Sequence, residues 1–118
     1  MLWDIKSFQK TIYLTFDDGP IPDVTPKVLE ILNEYNAKAT FFCVGQNVEK
    51  NPDIFQMILN SKHNVGNHSY SHLKGWSTQT KQYIDDVEKC SKIVNSKLFR
   101  PPYGKIKLSQ IKNLKSNL

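Results

Sequence analysis

Cysteine is scarce in this sequence: Cys43 and Cys90 are the only two among 118 residues, and they form no C-x-x-C pair. That spacing offers neither a thiolate zinc framework nor a disulfide scaffold, and it leaves two buried thiols or one bridge as the alternatives. Buried thiols are favoured, because Cys43 lies inside the apolar run Ala39-Thr40-Phe41-Phe42-Cys43-Val44. Long apolar runs are missing too. No segment approaches the roughly 18 residues that a membrane helix needs, so no membrane span is expected. The first residues, Met1-Leu2-Trp3-Asp4-Ile5-Lys6, have neither a basic start nor an apolar stretch, which argues against a secretory signal and makes the cytoplasm the default location. Arginine occurs once, as Arg100, and no aspartate, glutamate or histidine follows Glu88. Linkers, repeats and low-complexity segments are also lacking, so residues 1–118 read as a single domain.

Lysine, by contrast, is plentiful. The net charge of +5 raises nucleic acid as a partner, since lysines gain from releasing counterions at a phosphate backbone. The lysines are spread along the whole chain, however. Near its end Lys97, Lys105, Lys107, Lys112 and Lys115 have no aromatic residue among them after Tyr103. A solvated face is therefore expected, and no nucleic acid. A hydrophobic fraction of 39% and a charged fraction of 23% suit a soluble domain with one core.

Periodicity places the elements. Thr11 to Phe16 is rich in β-branched and aromatic residues and ends at the turn signal Asp18-Gly19-Pro20, which predicts a strand. Thr25 can cap and Pro26 open a helix with Val28, Ile31, Leu32 and Tyr35 on its apolar face. A second strand runs from Ala39 to Val44 and ends at Gly45. Asn51-Pro52 then opens a helix with Ile54, Phe55, Ile58 and Leu59 on one side. Val65 to His68 predicts a short strand end, and a helix follows from about Ser77 with Tyr83, Ile84, Val87, Ser91 and Val94 at helical spacing. Lys97 to Arg100 predicts a fourth strand, stopped by Pro101-Pro102, and Lys105 to Leu118 a fourth helix. Strands alternating with helices imply an α/β fold with parallel strands.

In such folds the C-terminal ends of the strands converge on one face, where active sites form. Asp17 and Asp18 follow the first strand, His68 the third and Arg100 the fourth, so four distant segments can meet. His68 and His72 are four apart, the spacing that puts two imidazoles on one side of a turn, as in H-E-x-x-H zinc motifs. Ser69 stands where that motif has glutamate, so a general base must come from elsewhere, and the first strand end offers carboxylates. With Asp18 as third ligand the set becomes two nitrogens and one oxygen, which leaves a coordination position open as catalytic zinc sites do. Adjacent aspartates on a strand point to opposite faces, so both enter one site only where the strand is already breaking. Arg100 has the planar fork to pair with Asp17 and orient it as the base. The plainer alternatives are a simple turn at Asp17 to Pro20, structural histidines, and a surface arginine.

Thr15-Phe16-Asp17-Asp18-Gly19-Pro20, His68-Ser69-Tyr70-Ser71-His72 and Arg100-Pro101-Pro102-Tyr103-Gly104 together resemble the first three motifs of the polysaccharide deacetylases, the NodB-homology family or carbohydrate esterase family four. The resemblance spans residues 11 to 104 in the family's order. It implies a partial distorted parallel β/α barrel of about the first four βα units. It also implies a hydrolase that removes N- or O-acetyl groups from a chitin- or peptidoglycan-like glycan with zinc or another divalent metal. Carried over, it makes Asp17 the general base, Asp18, His68 and His72 the metal ligands, Arg100 the partner of Asp17, and the backbone N–H of Tyr103 a donor to the oxyanion. His63 matches no catalytic position and is expected to make a structural hydrogen bond. Trp76 is expected to pack at a helix start rather than stack on sugar.

The family's later motifs, with a further aspartate and a histidine acting as general acid, find no match. The expectation is a truncated domain, incomplete or inactive alone, with a complementing C-terminal half or self-association as its partner. A non-catalytic metal- or glycan-binding remnant is the alternative. A haloacid-dehalogenase-type phosphatase is disfavoured, because that motif spaces its aspartates two apart.

Overall fold

The computed structural model describes residues 12–117. Thr11, where the first strand was expected to begin, and the Met1 to Lys6 segment lie outside the described residues. Three parallel strands form one sheet in the order β1-β2-β3: β1 Leu14–Asp17, β2 Ala39–Cys43 and β3 Asn64–Asn67. Leu14 aligns with Ala39, Asp17 with Phe42, and Cys43 with Asn67. Helices α1 Val24–Glu34, α2 Gly45–Lys50, α3 Pro52–Asn60, α4 Thr80–Ser91 and α5 Leu108–Asn117 complete the fold. This α/β arrangement with a parallel sheet is the expected class.

Strand alternation decides which side is core. Phe16, Phe41 and Val65 project toward the helices, where Phe41 and Cys43 pack with Leu29, Leu32, Ile58, Cys90 and Val94. Residues one position out of phase, Thr15, Asp17 and Phe42, project to the opposite face, where Arg100 gathers them. Among the described residues the apolar core thus lies mainly on the helix side, and the sheet's second face carries Asp17 and Arg100 over the Phe42 ring. A second apolar cluster of Tyr83, Ile84, Val87 and Leu114 binds α4 to α5.

The buried face of α1 is Thr25, Leu29 and Leu32, with Val28 half-buried, while Ile31 and Tyr35 are exposed. The i, i+3, i+4, i+7 stripe is real but starts three residues earlier than expected, because a helix lying on one sheet face buries only a narrow band. Thr25 is inside the helix rather than capping it, and its hydroxyl accepts from the Ile21 N–H at 2.8 Å. Helix α3 opens at Pro52 as expected, but of its apolar residues only Ile58 is fully buried. Between Gly45 and Lys50 lies a helix, α2, that periodicity did not reveal. Residues Gly75–Ser77 form a separate 3-10 turn, so α4 begins at Thr80 and Val94 lies beyond its end.

The fourth strand reduces to a single parallel bridge between Asn67 and Phe99. Asn67 N–H donates to the Leu98 carbonyl at 2.8 Å and Arg100 N–H to the Asn67 carbonyl at 3.0 Å, so the register expected of Arg100 holds without an extended ladder. Among the described residues the last helix, α5, is the fifth rather than the fourth. Both cysteines are free and fully buried, as favoured, and burial pushes the Cys43 thiol up to about 12 and that of Cys90 up to about 11.

Candidate metal and catalytic site

Strand ladders carry the site residues to one place. Hydrogen bonding continues past the strands: Asp18 N–H donates to the Phe42 carbonyl at 3.1 Å, and His68 N–H to the Cys43 carbonyl at 3.0 Å. Side by side at the C-terminal edge of the sheet, the two residues meet. Asp17 is the last residue of β1 and faces away from the helices, while Asp18 takes a left-handed backbone with φ 73. That turn breaks the strand alternation and brings the second carboxylate to the same cleft, as both aspartates require. Asn47 secures the turn by donating from Nδ2 to the Asp18 carbonyl at 2.7 Å.

Left-handed backbone recurs around the cleft, at Ser69 (φ 63), His72 (φ 57) and Tyr103 (φ 61). For non-glycine residues each such conformation costs roughly 1–3 kcal/mol, and it persists where neighbours fix it. The neighbours here are identifiable. Ser69 N–H donates to Asn67 Oδ1 at 2.8 Å, and Asn67, itself fully buried, donates from Nδ2 to the Val87 carbonyl of α4 at 3.0 Å. Ser69 Oγ accepts from the Leu73 N–H at 3.2 Å. The Asp86 carboxylate accepts from the N–H groups of Tyr70 and Ser71 and from the Ser71 hydroxyl. Sequence reading missed Asn67, Ser69 and Asp86. A polar residue that satisfies distant backbone groups carries no periodic signal.

The metal-ligand candidates converge. Asp18 Oδ1 lies 3.2 Å from His68 Nε2 and 3.0 Å from His72 Nε2, and the three ligand atoms all fall within 4.8 Å of one another. His68 Nδ1 is 2.7 Å from the Arg100 carbonyl oxygen. A carbonyl only accepts, so Nδ1 carries the hydrogen, and in the neutral ring Nε2 turns its lone pair toward Asp18. Burial lowers the His68 pKa, with the bond to the Arg100 carbonyl opposing this in part, and favours that neutral imidazole. A lone pair, a carboxylate oxygen and a second imidazole nitrogen directed at one point fit a divalent cation. Bonds of about 2.0–2.2 Å in a tetrahedral set separate ligand atoms by roughly 3.3–3.6 Å, close to the two short distances.

Asp17 stands beside this set. Its Oδ1 accepts from Arg100 Nη1 at 2.8 Å, the same nitrogen reaches Thr15 Oγ1 at 3.0 Å, and the guanidinium lies 4.3 Å above the Phe42 ring. The His72 ring makes edge contacts with those of His68 and Tyr103, at 5.0 and 4.8 Å between centroids. An open cleft of about 580 Å³ is lined by Asp17, Asp18, His68, His72, Arg100 and Tyr103. All six residues singled out in the sequence border it.

The other two residues fall elsewhere. His63 is buried at the opposite end of the sheet and accepts from the Ala39 N–H through Nδ1 at 3.1 Å, the structural hydrogen bond expected of it. Trp76 does not pack at a helix start. It is 61% exposed in the 3-10 turn, with Lys105 Nζ 5.0 Å from its ring centroid.

The polysaccharide deacetylase family model matches residues 4–117. A peptidoglycan-N-acetylglucosamine deacetylase of Bacillus cereus is 43% identical over 107 residues, covering 86% of this chain and 39% of that protein. A second enzyme of that name from the same organism is 36% identical over 118 residues, covering 96% and 55%. Among solved structures, the crystal structure of a peptidoglycan N-acetylglucosamine deacetylase superposes with a TM-score of 0.86 at 40% identity, covering 89% of this chain and 52% of that one. The chain spans about half the length of these relatives or less. Motifs, fold and matched span agree, and the chain belongs to the polysaccharide deacetylase family.

Proposed function

We propose that this chain forms the metal-binding and proton-accepting part of a hydrolase that removes acetyl groups from the N-acetylated sugars of a peptidoglycan- or chitin-like glycan. One observation carries the reading: Asp18, His68 and His72 turn their ligand atoms to a common point, while the adjacent Asp17 is held apart from them by Arg100. Asp18 Oδ1, His68 Nε2 and His72 Nε2 would hold the cation, and two imidazoles with one carboxylate suit zinc first. When bound, such an ion supplies a Lewis acid that polarises the acetyl carbonyl.

The remaining roles belong to the chain. Arg100 orients Asp17, and the Asp17 carboxylate takes a proton from the attacking water as its oxygen joins the acetyl carbon. The backbone N–H of Tyr103, at the rim of the same cleft, donates to the oxyanion that develops on the acetyl oxygen. Collapse breaks the carbon–nitrogen bond and releases acetate, and the sugar amine leaves with one added proton. Residues 89–118 contain no aspartate, glutamate or histidine to serve as that acid. A completing segment or partner chain is the source proposed for that acid, since this chain covers 39% and 55% of the two Bacillus cereus relatives.

That missing acid favours one second reading, a metal- or glycan-binding remnant without turnover. Zinc binding measured by calorimetry and acetate release from N-acetylglucosamine oligomers and peptidoglycan separate the two. Zinc binding with acetate release, in the chain alone or joined to the later part of a relative, supports the hydrolase. Zinc binding without acetate from either form supports the remnant, and no zinc binding at all ends both metal readings.

A further inference from the structure

Resting on the reading of His68 and His72 as metal ligands, we propose that Asp86 on α4 is a positioning residue that sets the direction of His72 through the backbone of the loop between the two histidines. Its carboxylate accepts three hydrogen bonds from that loop. Tyr70 N–H and Ser71 N–H reach Oδ2 at 3.0 and 2.9 Å, and the Ser71 hydroxyl reaches Oδ1 at 2.9 Å.

The residues so held are the two between Ser69 and His72, both of which have left-handed backbone. Neighbouring residues in that conformation turn the chain sharply, so the amides of Tyr70 and Ser71 are not presented to a strand partner, and a carboxylate on α4 receives them instead. His68 has its own supports, its N–H on the Cys43 carbonyl and its Nδ1 on the Arg100 carbonyl. His72 has less. Beyond Asp18, its ring makes edge contacts with the His68 and Tyr103 rings. The Ser69 and Tyr70 carbonyls accept from the Gly45 and Gln46 N–H groups, both at 3.0 Å, and Ser69 Oγ accepts from the Leu73 N–H, but the N–H groups of the two residues just before His72 are held by Asp86, which thereby sets the direction of the second imidazole. Asn67 joins the same helix to the start of the loop through Val87 and Ser69, independently of Asp86, so the loop stays docked when Asp86 is changed.

Only a carboxylate accepts at both oxygens. Asparagine has one acceptor oxygen and turns an NH2 donor toward at least one of the three donors. The test uses Asp86→Asn and Ser71→Ala in the full chain, with two measurements: zinc dissociation constants by chelator competition, and imidazole nitrogen–proton spectra of the metal-free protein. The sequence has three histidines, and His63, bonded to the Ala39 N–H far from the loop, serves as internal reference.

Asp86→Asn is expected to weaken zinc binding about 10- to 100-fold, in the range of changes behind a metal ligand, and to move the His72 resonances while leaving those of His63 in place. Ser71→Ala, which removes one contact of an exposed residue, is expected to shift both readouts the same way by less. Should the wild-type chain bind no zinc while Asp86→Asn still moves His72, the metal reading fails and the positioning role stands. Loss of the His63 reference signals in Asp86→Asn means unfolding, and Ser71→Ala then decides. Zinc affinity within twofold of wild type and unmoved His72 resonances, in the folded variants, overturn the proposal.

Discussion

Arg100 and Asp17, 83 residues apart in sequence, are joined by a hydrogen bond of 2.8 Å from Nη1 to Oδ1, and the same Arg100 offers its backbone carbonyl to His68 Nδ1 at 2.7 Å. One residue thus holds the proposed base with its side chain and a proposed ligand with its main chain. The main-chain contact survives substitution, while the side-chain contact does not.

Asp17→Asn and Arg100→Gln should therefore separate binding from turnover. With the chain joined to the later part of a relative, Asp17→Asn is expected to cut acetate release by about 10²- to 10⁴-fold, the usual contribution of a general base. Zinc affinity by calorimetry should stay within about twofold in both variants. Loss of zinc from Asp17→Asn would instead make that residue a ligand.

Extension is expected to matter as much. The isolated chain should release acetate slowly or not at all, and the joined form about 10²- to 10⁴-fold faster, since a general acid for the leaving amine contributes on that scale. Equal rates from the two forms, assayed on chito-oligomers with added zinc, would show that residues 1–118 already hold a complete site.

Stability should fall with acid through His63. Burial lowers its pKa, and Lys38 adds to the effect. The folded state thus binds this proton less readily than the unfolded state, whose histidine titrates near 6.5. Stability is therefore full above about pH 6.5 and declines as the pH falls toward the lower folded value. His68 shifts in the same direction. Urea midpoints measured from pH 7.5 to 5 should drop in the wild type. His63→Asn, which keeps an acceptor for Ala39 N–H but cannot titrate, should flatten part of the slope; an unchanged slope would remove His63 from the account.

Gly66 gives a test of how the sheet supports the cleft. A Cβ there would stand 2.5 and 2.6 Å from two Phe42 ring carbons, and that ring is the platform under the Arg100 guanidinium. Gly66→Ala is expected to cost roughly 1–3 kcal/mol by overpacking, read by urea denaturation. Displacing Phe42 should also loosen Arg100 from Asp17, so activity of the joined form should fall by more than the unfolded fraction explains. A variant as stable as wild type would show that Phe42 has room to move.

Much of the site was legible because its chemistry is local. Asp17-Asp18 before Gly19-Pro20, imidazoles four apart at His68 and His72, and a lone Arg100 before two prolines are short-range patterns, and their types and order restrict what they can bind. The strand that breaks at Asp18 was inferred from Gly19-Pro20, and its φ of 73 supplies the turn. Less legible was the band of α1 that faces the sheet. Ile31 and Tyr35 are apolar enough to count, yet a one-sided layer covers only the stripe that meets Phe41, and hydrophobicity alone does not say which stripe that is.

Residue types, their order and the alternation of strands with helices were determined by the sequence itself, because each depends on chemistry within a few residues. Tertiary structure alone decided that the Phe99 segment pairs with Asn67 through a single bridge, that Trp76 stays exposed, and that Asn67 and Asp86 hold the loop carrying the histidines. The physical reason is that a hydrogen bond between residues 15 or 20 positions apart, like those of Asp86 with Ser71 and of Asn67 with Val87, depends on the path of the chain between them. No local spacing records that path.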